Sequence, residues 1–140
     1  GGSGAAGAGL VLENLSPQTR LIGVQAEEAP AACLSWRRGK LVEAPMTTKA
    51  EGLATRCAFE LTQRMLRKHL DEFVLVSEEE MNNAIRLLLG KTSSLAEPSG
   101  AASLAAALKL ADRLSGKKTA VVLSGANIAP EQLRSILRST

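Results

Sequence analysis

The chain has 140 residues, a formal net charge of +3 and an apolar fraction of 45%, the profile of one folded segment with a core and not of a disordered tail. Aromatic residues make up only 2%, so the basic stretch Arg64-Met65-Leu66-Arg67-Lys68-His69 lacks the stacking platforms of a nucleic-acid surface. No apolar run reaches membrane-spanning length, no signal-peptide pattern is present, and Cys33 and Cys57, far apart and without a Cys-x-x-Cys pattern, read as reduced thiols of a cytoplasmic protein.

The opening GGSGAAGAGL runs directly into Ala5, Ala6, Ala8, Leu10, Val11, Leu12 and Leu15, an apolar run of helical length that ends at Ser16-Pro17. A flexible linker and a phosphate-holding loop both fit Gly1 to Gly4. The second draws on the N–H groups and dipole at a helix N-terminus, which attract an anion. The Gly-Lys-Ser/Thr ending of a nucleotide P-loop is absent, and the local sequence leaves both readings open. A strand is expected at 20–25, a short helix at 29–36 and a connection at 45–50. A second helix begins at Ala58. Its three- and four-residue spacings turn Phe59, Thr62 and Leu66, with Ala58, Leu61 and Met65, inward, and leave Glu60, Gln63, Arg64 and Arg67 outward. The basic stretch forms its solvated face and last turn, which suits the helix dipole. Phe73-Val74-Leu75-Val76 reads as a second strand. Ser77 and Glu80 have the form of a capping box opening a helix through Leu89 that Gly90 stops. An Ala-rich helix runs from Ser99 to Leu114, Ala120 to Leu123 reads as a third strand, and Pro130 suits the first residue of a final helix to Leu137.

Continuous apolar strands alternating with helices predict an α/β, three-layer fold with a mostly parallel sheet and right-handed crossovers. The first helix has no strand before it and the chain does not open on methionine, which reads as a segment whose leading strand has been left behind. Ligands of such sheets sit beyond the carboxyl ends of strands. That rule points to Gln25–Glu28, Ser77–Glu80, Ser124–Asn127 and the opening glycine loop. Capping accounts for Ser77. Ser124-Gly125-Ala126-Asn127 would let a flat ring approach the backbone, or is a plain strand-to-helix turn.

Taken together and in this order, GGSGAAG, RLIGVQAEEAPAACLSWRRGKLVE, EGLATR, DEFVLVSEEEMNNAIRLLL, AEPSGAASLAAAL and GKKTAVVLSGANIAPEQL resemble the C-terminal half of the catalytic region of serine/threonine dehydratases, or threonine ammonia-lyases. These are fold-type-II, tryptophan synthase β-like pyridoxal-phosphate enzymes. The resemblance covers essentially the whole chain, so 1–140 is expected to be a single segment, the C-terminal portion of such a catalytic domain. It implies that Gly1, Gly2, Ser3 and Gly4 wrap the cofactor phosphate with backbone N–H groups. It also implies that Gly52 lies on backbone passing close to the cofactor, that Glu97 is a pocket-side glutamate near the ring, and that Ser124 hydrogen-bonds the pyridine nitrogen. A hydroxyl there, in place of an acid, leaves the ring nitrogen largely unprotonated and weakens the electron sink, which suits elimination over transamination. The implied reaction removes water from L-threonine or L-serine and yields a 2-oxo acid and ammonia.

The departures from the family pattern carry their own expectations. Members that hold a cation carry a glutamate just after the first strand; here the position is Gln25, a poorer ligand for a hard cation, and no metal site is expected. Glu27 and Glu28 read as solvated carboxylates. Ala126 replaces a glycine of the family's Ser-Gly-Gly-Asn motif and would strain a turn that needs a positive φ. None of Lys40, Lys49, Lys68, Lys91, Lys109, Lys117 and Lys118 sits in the context of the family's Schiff-base lysine, so no catalytic residue is assigned and the chain alone is expected to be inactive. Implied partners are the amino-acid substrate, the missing N-terminal half and further copies in a homo-oligomer, with no nucleic acid and no membrane. A standalone non-catalytic cofactor-binding, phosphate-binding or protein-interaction module, and a portion of a serine racemase-like enzyme, stay open as alternatives.

Overall fold

Two short apolar runs, Ile22–Ala26 (β1) and Glu72–Val76 (β2), are hydrogen-bonded neighbours in a parallel sheet. Parallel neighbours need a long crossover. Here it contains two helices, Ala31–Arg38 (α2) and Glu60–His69 (α3), and a loop pinned by an isolated antiparallel bridge between Glu43 and Cys57. The structure, a computed structural model, describes residues 1–138 and packs as two compact units. The first is Gly1–Thr48 with Leu53–Leu75, and the second is Lys49–Gly52 with the chain from Val76 onward.

In the first unit, Ser3–Leu15 (α1) packs on α3 through its smallest residues. Ala6 and Gly9 are its buried positions, whereas Leu10, Val11 and Leu15 are exposed. A β-carbon on Gly9 would lie 2.5 Å from Cβ of His69, so glycine is what allows the two helices to come this close. At the rim of the same contact Lys68 reaches Glu13 at 2.7 Å and holds its carboxyl below the usual range, chiefly by that hydrogen bond. The core proper is Ala6, Ala32, Cys33, Ala58, Leu66, Leu70 and Phe73. Trp36 packs against it, edge-on to Phe73 at 6.1 Å between ring centroids, and its indole N–H donates to Leu66 O at 3.1 Å.

Two buried amides tie this core together, and the second corrects the sequence-based expectation. Gln25, the amide standing where cation-holding members of the family carry a glutamate, is a structural acceptor. It is buried, and its Oε1 accepts the Cys33 N–H at 2.9 Å, one of the first-turn donors of α2 that has no partner within the helix. Gln63 is not on the outward face of α3. It is buried and its Nε2 donates to Ala32 O at 3.0 Å, while Leu61 and Phe59 take exposed positions. The amide-to-carbonyl bond between α3 and α2 sets the rotation of α3, a preference that the apolar pattern alone does not contain.

In the second unit, Glu78–Thr92 (α4) packs along Pro98–Lys109 (α5). Met81, Ala84, Ile85 and Leu88 line one side, and Ala101, Ala102, Ala105 and Ala106 the other. The capping box is formed as expected: Glu80 N–H donates to Ser77 Oγ at 3.2 Å and Ser77 N–H to Glu80 Oε2 at 2.8 Å. Gly90, however, lies inside α4. The left-handed stop falls on Ser93, φ 55°, whose N–H returns to Leu88 O. The expected helix 99–114 breaks at Leu110 into α5 and the single turn Ala111–Leu114 (α6), and Pro130–Arg138 (α7) follows with Arg86 Nη1 donating to Ile136 O at 3.1 Å.

The third strand is a further correction. Ala120 to Leu123 is not in a ladder, and the sheet has two strands among the described residues. A strand is defined by its hydrogen-bonded neighbour, and none of the described residues supplies one here. The segment is held instead by Ser103 Oγ, which donates to Val122 O at 2.6 Å, and Val121, Val122 and Leu123 are exposed.

Two outcomes follow for the first unit. Gln25→Leu strands the buried Cys33 N–H and is expected to lower unfolding stability by about 1–3 kcal/mol in denaturant titration; an unchanged midpoint would show that the amide is dispensable. Burial pushes the Cys33 thiol up while Cys57 is exposed, so a thiol reagent should modify one of the two cysteines in the native chain and both after denaturation.

Candidate functional site

The residues expected to hold the cofactor fall into two sets, one in each unit. Gly1, Gly2, Ser3 and Gly4 lie at the start of α1. Gly2 is the N-cap residue, with φ 87°, and a β-carbon there would also meet Leu66 Cδ1 at 2.8 Å, so both backbone conformation and packing require glycine. At Gly1 a β-carbon would meet the Phe59 ring at 2.9 Å. At Gly4 it would meet nothing within 4 Å, so the first turn opens onto free space. The helix has no side-chain cap and no acidic residue in its first turn. Its leading N–H groups are therefore left for an external acceptor, over the positive end of a helix of 13 residues. The residues read as either a linker or a phosphate loop thus enter and begin a folded helix.

The second set is built around Glu97, the N-cap residue of α5. Its Oε1 accepts the Ser99 hydroxyl at 2.6 Å and its Oε2 accepts the Asn127 N–H at 3.0 Å, while its own N–H donates to Gly125 O at 3.0 Å. The carboxylate thus grips both ends of a short stretch of unit two: the α5 start, and the turn Ser124-Gly125-Ala126-Asn127. Glycine makes the grip possible. A β-carbon on Gly125 would lie 2.8 Å from Glu97 Oε1, one on Gly100 2.3 Å from Gly125 O, and one on Gly52 2.7 Å from Ser99 Oγ. Gly52, Glu97 and the turn carrying Ser124 are thereby brought into one cluster. Ser124 itself is exposed and takes no hydrogen bond among the described residues, which leaves a hydroxyl free to donate to a ring nitrogen.

Ser99 and Gly100 complete the cluster without having been pointed to by the sequence, whereas Gly125 and Asn127 belong to the Ser124–Asn127 turn that the strand-end rule indicated. The readable signal for them was the pair of glycines, one after Glu97-Pro98-Ser99 and one after Ser124, which marks a close backbone crossing once the two segments are known to meet. Ala126 does not strain the turn. Ser93 is the single non-glycine residue with positive φ among the described residues, so residue 126 uses ordinary backbone and the glycine of this turn is needed at 125, for closeness and not for conformation. Among the described residues no three His, Cys, Asp or Glu side chains are grouped as metal ligands.

Comparison with known proteins identifies the family. Residues 1–125 match the family model described as "Pyridoxal-phosphate dependent enzyme". An L-threonine ammonia-lyase of Thermotoga maritima is 36% identical over 138 residues, a match covering 98% of this chain and 34% of that protein. The chain therefore spans about a third of the length of that curated relative. The crystal structure of a threonine deaminase from T.th. superposes with a TM-score of 0.85 at 39% identity, over 92% of this chain and 44% of that one. A serine racemase of maize superposes with a TM-score of 0.86 at 26% identity, over 100% of this chain and 46% of that one. With its fold, its glycine-entered helix start and its sequence matched to residue 125, the chain belongs to the pyridoxal-phosphate-dependent enzyme family, with the fold-type-II architecture of the threonine deaminases.

Proposed function

We propose that these 140 residues are the C-terminal portion of the catalytic domain of a cytoplasmic ammonia-lyase that removes water from L-threonine or L-serine and releases a 2-oxo acid and ammonia. The observation that carries the reading is the uncapped, glycine-entered N-terminus of α1 in a chain of this family. When bound, pyridoxal phosphate supplies an electron sink for chemistry at the amino-acid α-carbon. The backbone N–H groups of Gly1 to Gly4 would hold a phosphate, and the hydroxyl of Ser124 would donate to a ring nitrogen. A neutral hydroxyl favours the unprotonated nitrogen, whereas a carboxylate would favour the protonated one. Glu97 keeps the Ser124 turn in place through Asn127 and Gly125, and Gly52 lets its segment close on Ser99.

The free thiols of Cys33 and Cys57 support the cytoplasmic assignment, and the exposed Leu10, Val11 and Leu15 of α1 support association with further copies or with the remainder of the catalytic domain. No helix among the described residues is long and apolar enough to cross a membrane. The likeness to the maize serine racemase supports a second reading, in which the same groups serve racemisation; formation of D-serine in place of a 2-oxo acid from L-serine would decide for it.

Because none of the seven lysines stands in the Schiff-base context, the chain mixed with pyridoxal phosphate and L-threonine should yield no 2-oxo acid above the free-cofactor background. Adding the remainder of the Thermotoga maritima relative should restore turnover, and turnover by the chain alone that is lost on changing one of its lysines would overturn the assignment. Glu97→Ala removes the acceptor for the Asn127 N–H, so exchange of that amide should speed by roughly tenfold while amides of α3 are unchanged. Unaltered Asn127 protection would show that the carboxylate does not hold the turn.

A further inference from the structure

The run Ser77-Glu78-Glu79-Glu80 does more than cap α4. Its three glutamates take three different partners. Glu80 closes the capping box and accepts Lys109 Nζ at 3.1 Å, Glu79 pairs with Arg86, and Glu78 Oε1 accepts the N–H of Lys49 at 3.0 Å. That last bond reaches back 29 residues, to a segment outside the helices.

The segment is Lys49–Gly52. It belongs to the second unit, although Thr48 before it and Leu53 after it belong to the first. Three features fix it there. Lys49 donates to Glu78 at one end, Ala50 is fully buried, and Gly52 lies bare against the first turn of α5. A β-carbon on Gly52 would fall 2.7 Å from Ser99 Oγ and 3.8 Å from Glu97 Oε1. Three residues of chain reach at most about 11 Å when fully extended, and a single 3-10 turn at Glu51–Leu53 shortens the path from Lys49 to Gly52 further. Little slack is left to absorb a displacement of Lys49.

We infer that Glu78 is a positioning residue for Gly52: through the Lys49 N–H it keeps this backbone seated on Ser99 and beside Glu97. The hold is a property of the chain without cofactor, and its bearing on the reaction rests on the proposed place of Gly52 beside the cofactor. What the hold requires is an acceptor oxygen. The negative charge has a separate use, at the positive end of α4. The two are separable, because glutamine keeps the oxygen and loses the charge, whereas alanine loses both.

The test is amide exchange and amide chemical shift on the full chain, unaltered and as Glu78→Gln and Glu78→Ala, with each fold checked by circular dichroism. Lys49 is exposed, so protection of its amide reports the bond. Glu78→Ala should speed exchange at Lys49 by about tenfold and shift the amides of Gly52 and Ser99, while Glu78→Gln should leave all three near their unaltered values. A role confined to the helix dipole would change both variants alike, so equal effects of glutamine and alanine would overturn the inference. So would an unprotected Lys49 amide in the unaltered chain, or a Gly52 amide that stays in place in Glu78→Ala. Titration with pyridoxal phosphate keeps the two readings apart. Shifts at the start of α1 and at Gly52 are expected for the unaltered chain and Glu78→Gln, with those at Gly52 diminished in Glu78→Ala. Shifts at neither place would overturn the cofactor assignment, while the exchange comparison, made without cofactor, still decides for or against Glu78.

Discussion

A β-carbon on Gly9 would fall 2.5 Å from His69, one on Gly23 2.8 Å from Leu70, and one on Gly100 2.3 Å from the carbonyl of Gly125. At each place bare backbone meets another element at a distance that no side chain allows, and each place fixes something further along. Gly9 lets α1 lie on α3 and so sets where the open N-terminus of α1 is presented. Gly23 seats β1 over Leu70 and Phe73, the apolar floor of the first unit. Gly100 brings the start of α5 against the turn that carries Ser124. With so few rings to fill space, this chain gains density by shortening distances between backbones, and its functional groups inherit their positions from those contacts.

The kind of each element was legible where the signal is local. The capping box of α4 is written in Ser77 and Glu80, and it formed with both of its hydrogen bonds. The strands at β1 and β2 followed from apolar runs bounded by helices. What failed was information that resides in a partner. Ala120 to Leu123 has strand composition, but composition does not supply a neighbouring ladder. Gln63 was placed outward because a hydropathy pattern counts an amide as polar, whereas the amide's partner, the carbonyl of Ala32, is a backbone atom of another helix. The stop of α4 moved from Gly90 to Ser93 because a polar residue can take the left-handed conformation when a backbone bond rewards it.

The candidate site shows the same division. The glycine loop was ambiguous by itself and acquired meaning from the order of six segments, an order that the family match to residue 125 supports. Glu97 and Ser124 were named through resemblance, but the relation between them was not visible there: the glutamate addresses Ser124 through the main chain of its turn. Gln25 was read as a missing ligand and is a structural acceptor, a role open to an amide because it needs a carbonyl oxygen and no charge.

The far end of the Glu97 grip is the N–H of residue 127, not its side chain. Every amino acid except proline carries that donor, so the interaction passes unchanged through almost any substitution at this position. The hold on Ser124 can therefore be inherited without leaving a side-chain signature at residue 127. In a set of related sequences, variation there would speak of the solvent side of the turn and say nothing about whether the grip persists. Its trace would be sought at residues 97 and 125, where the carboxylate accepts and the missing β-carbon leaves it room, and in the exclusion of proline from 127.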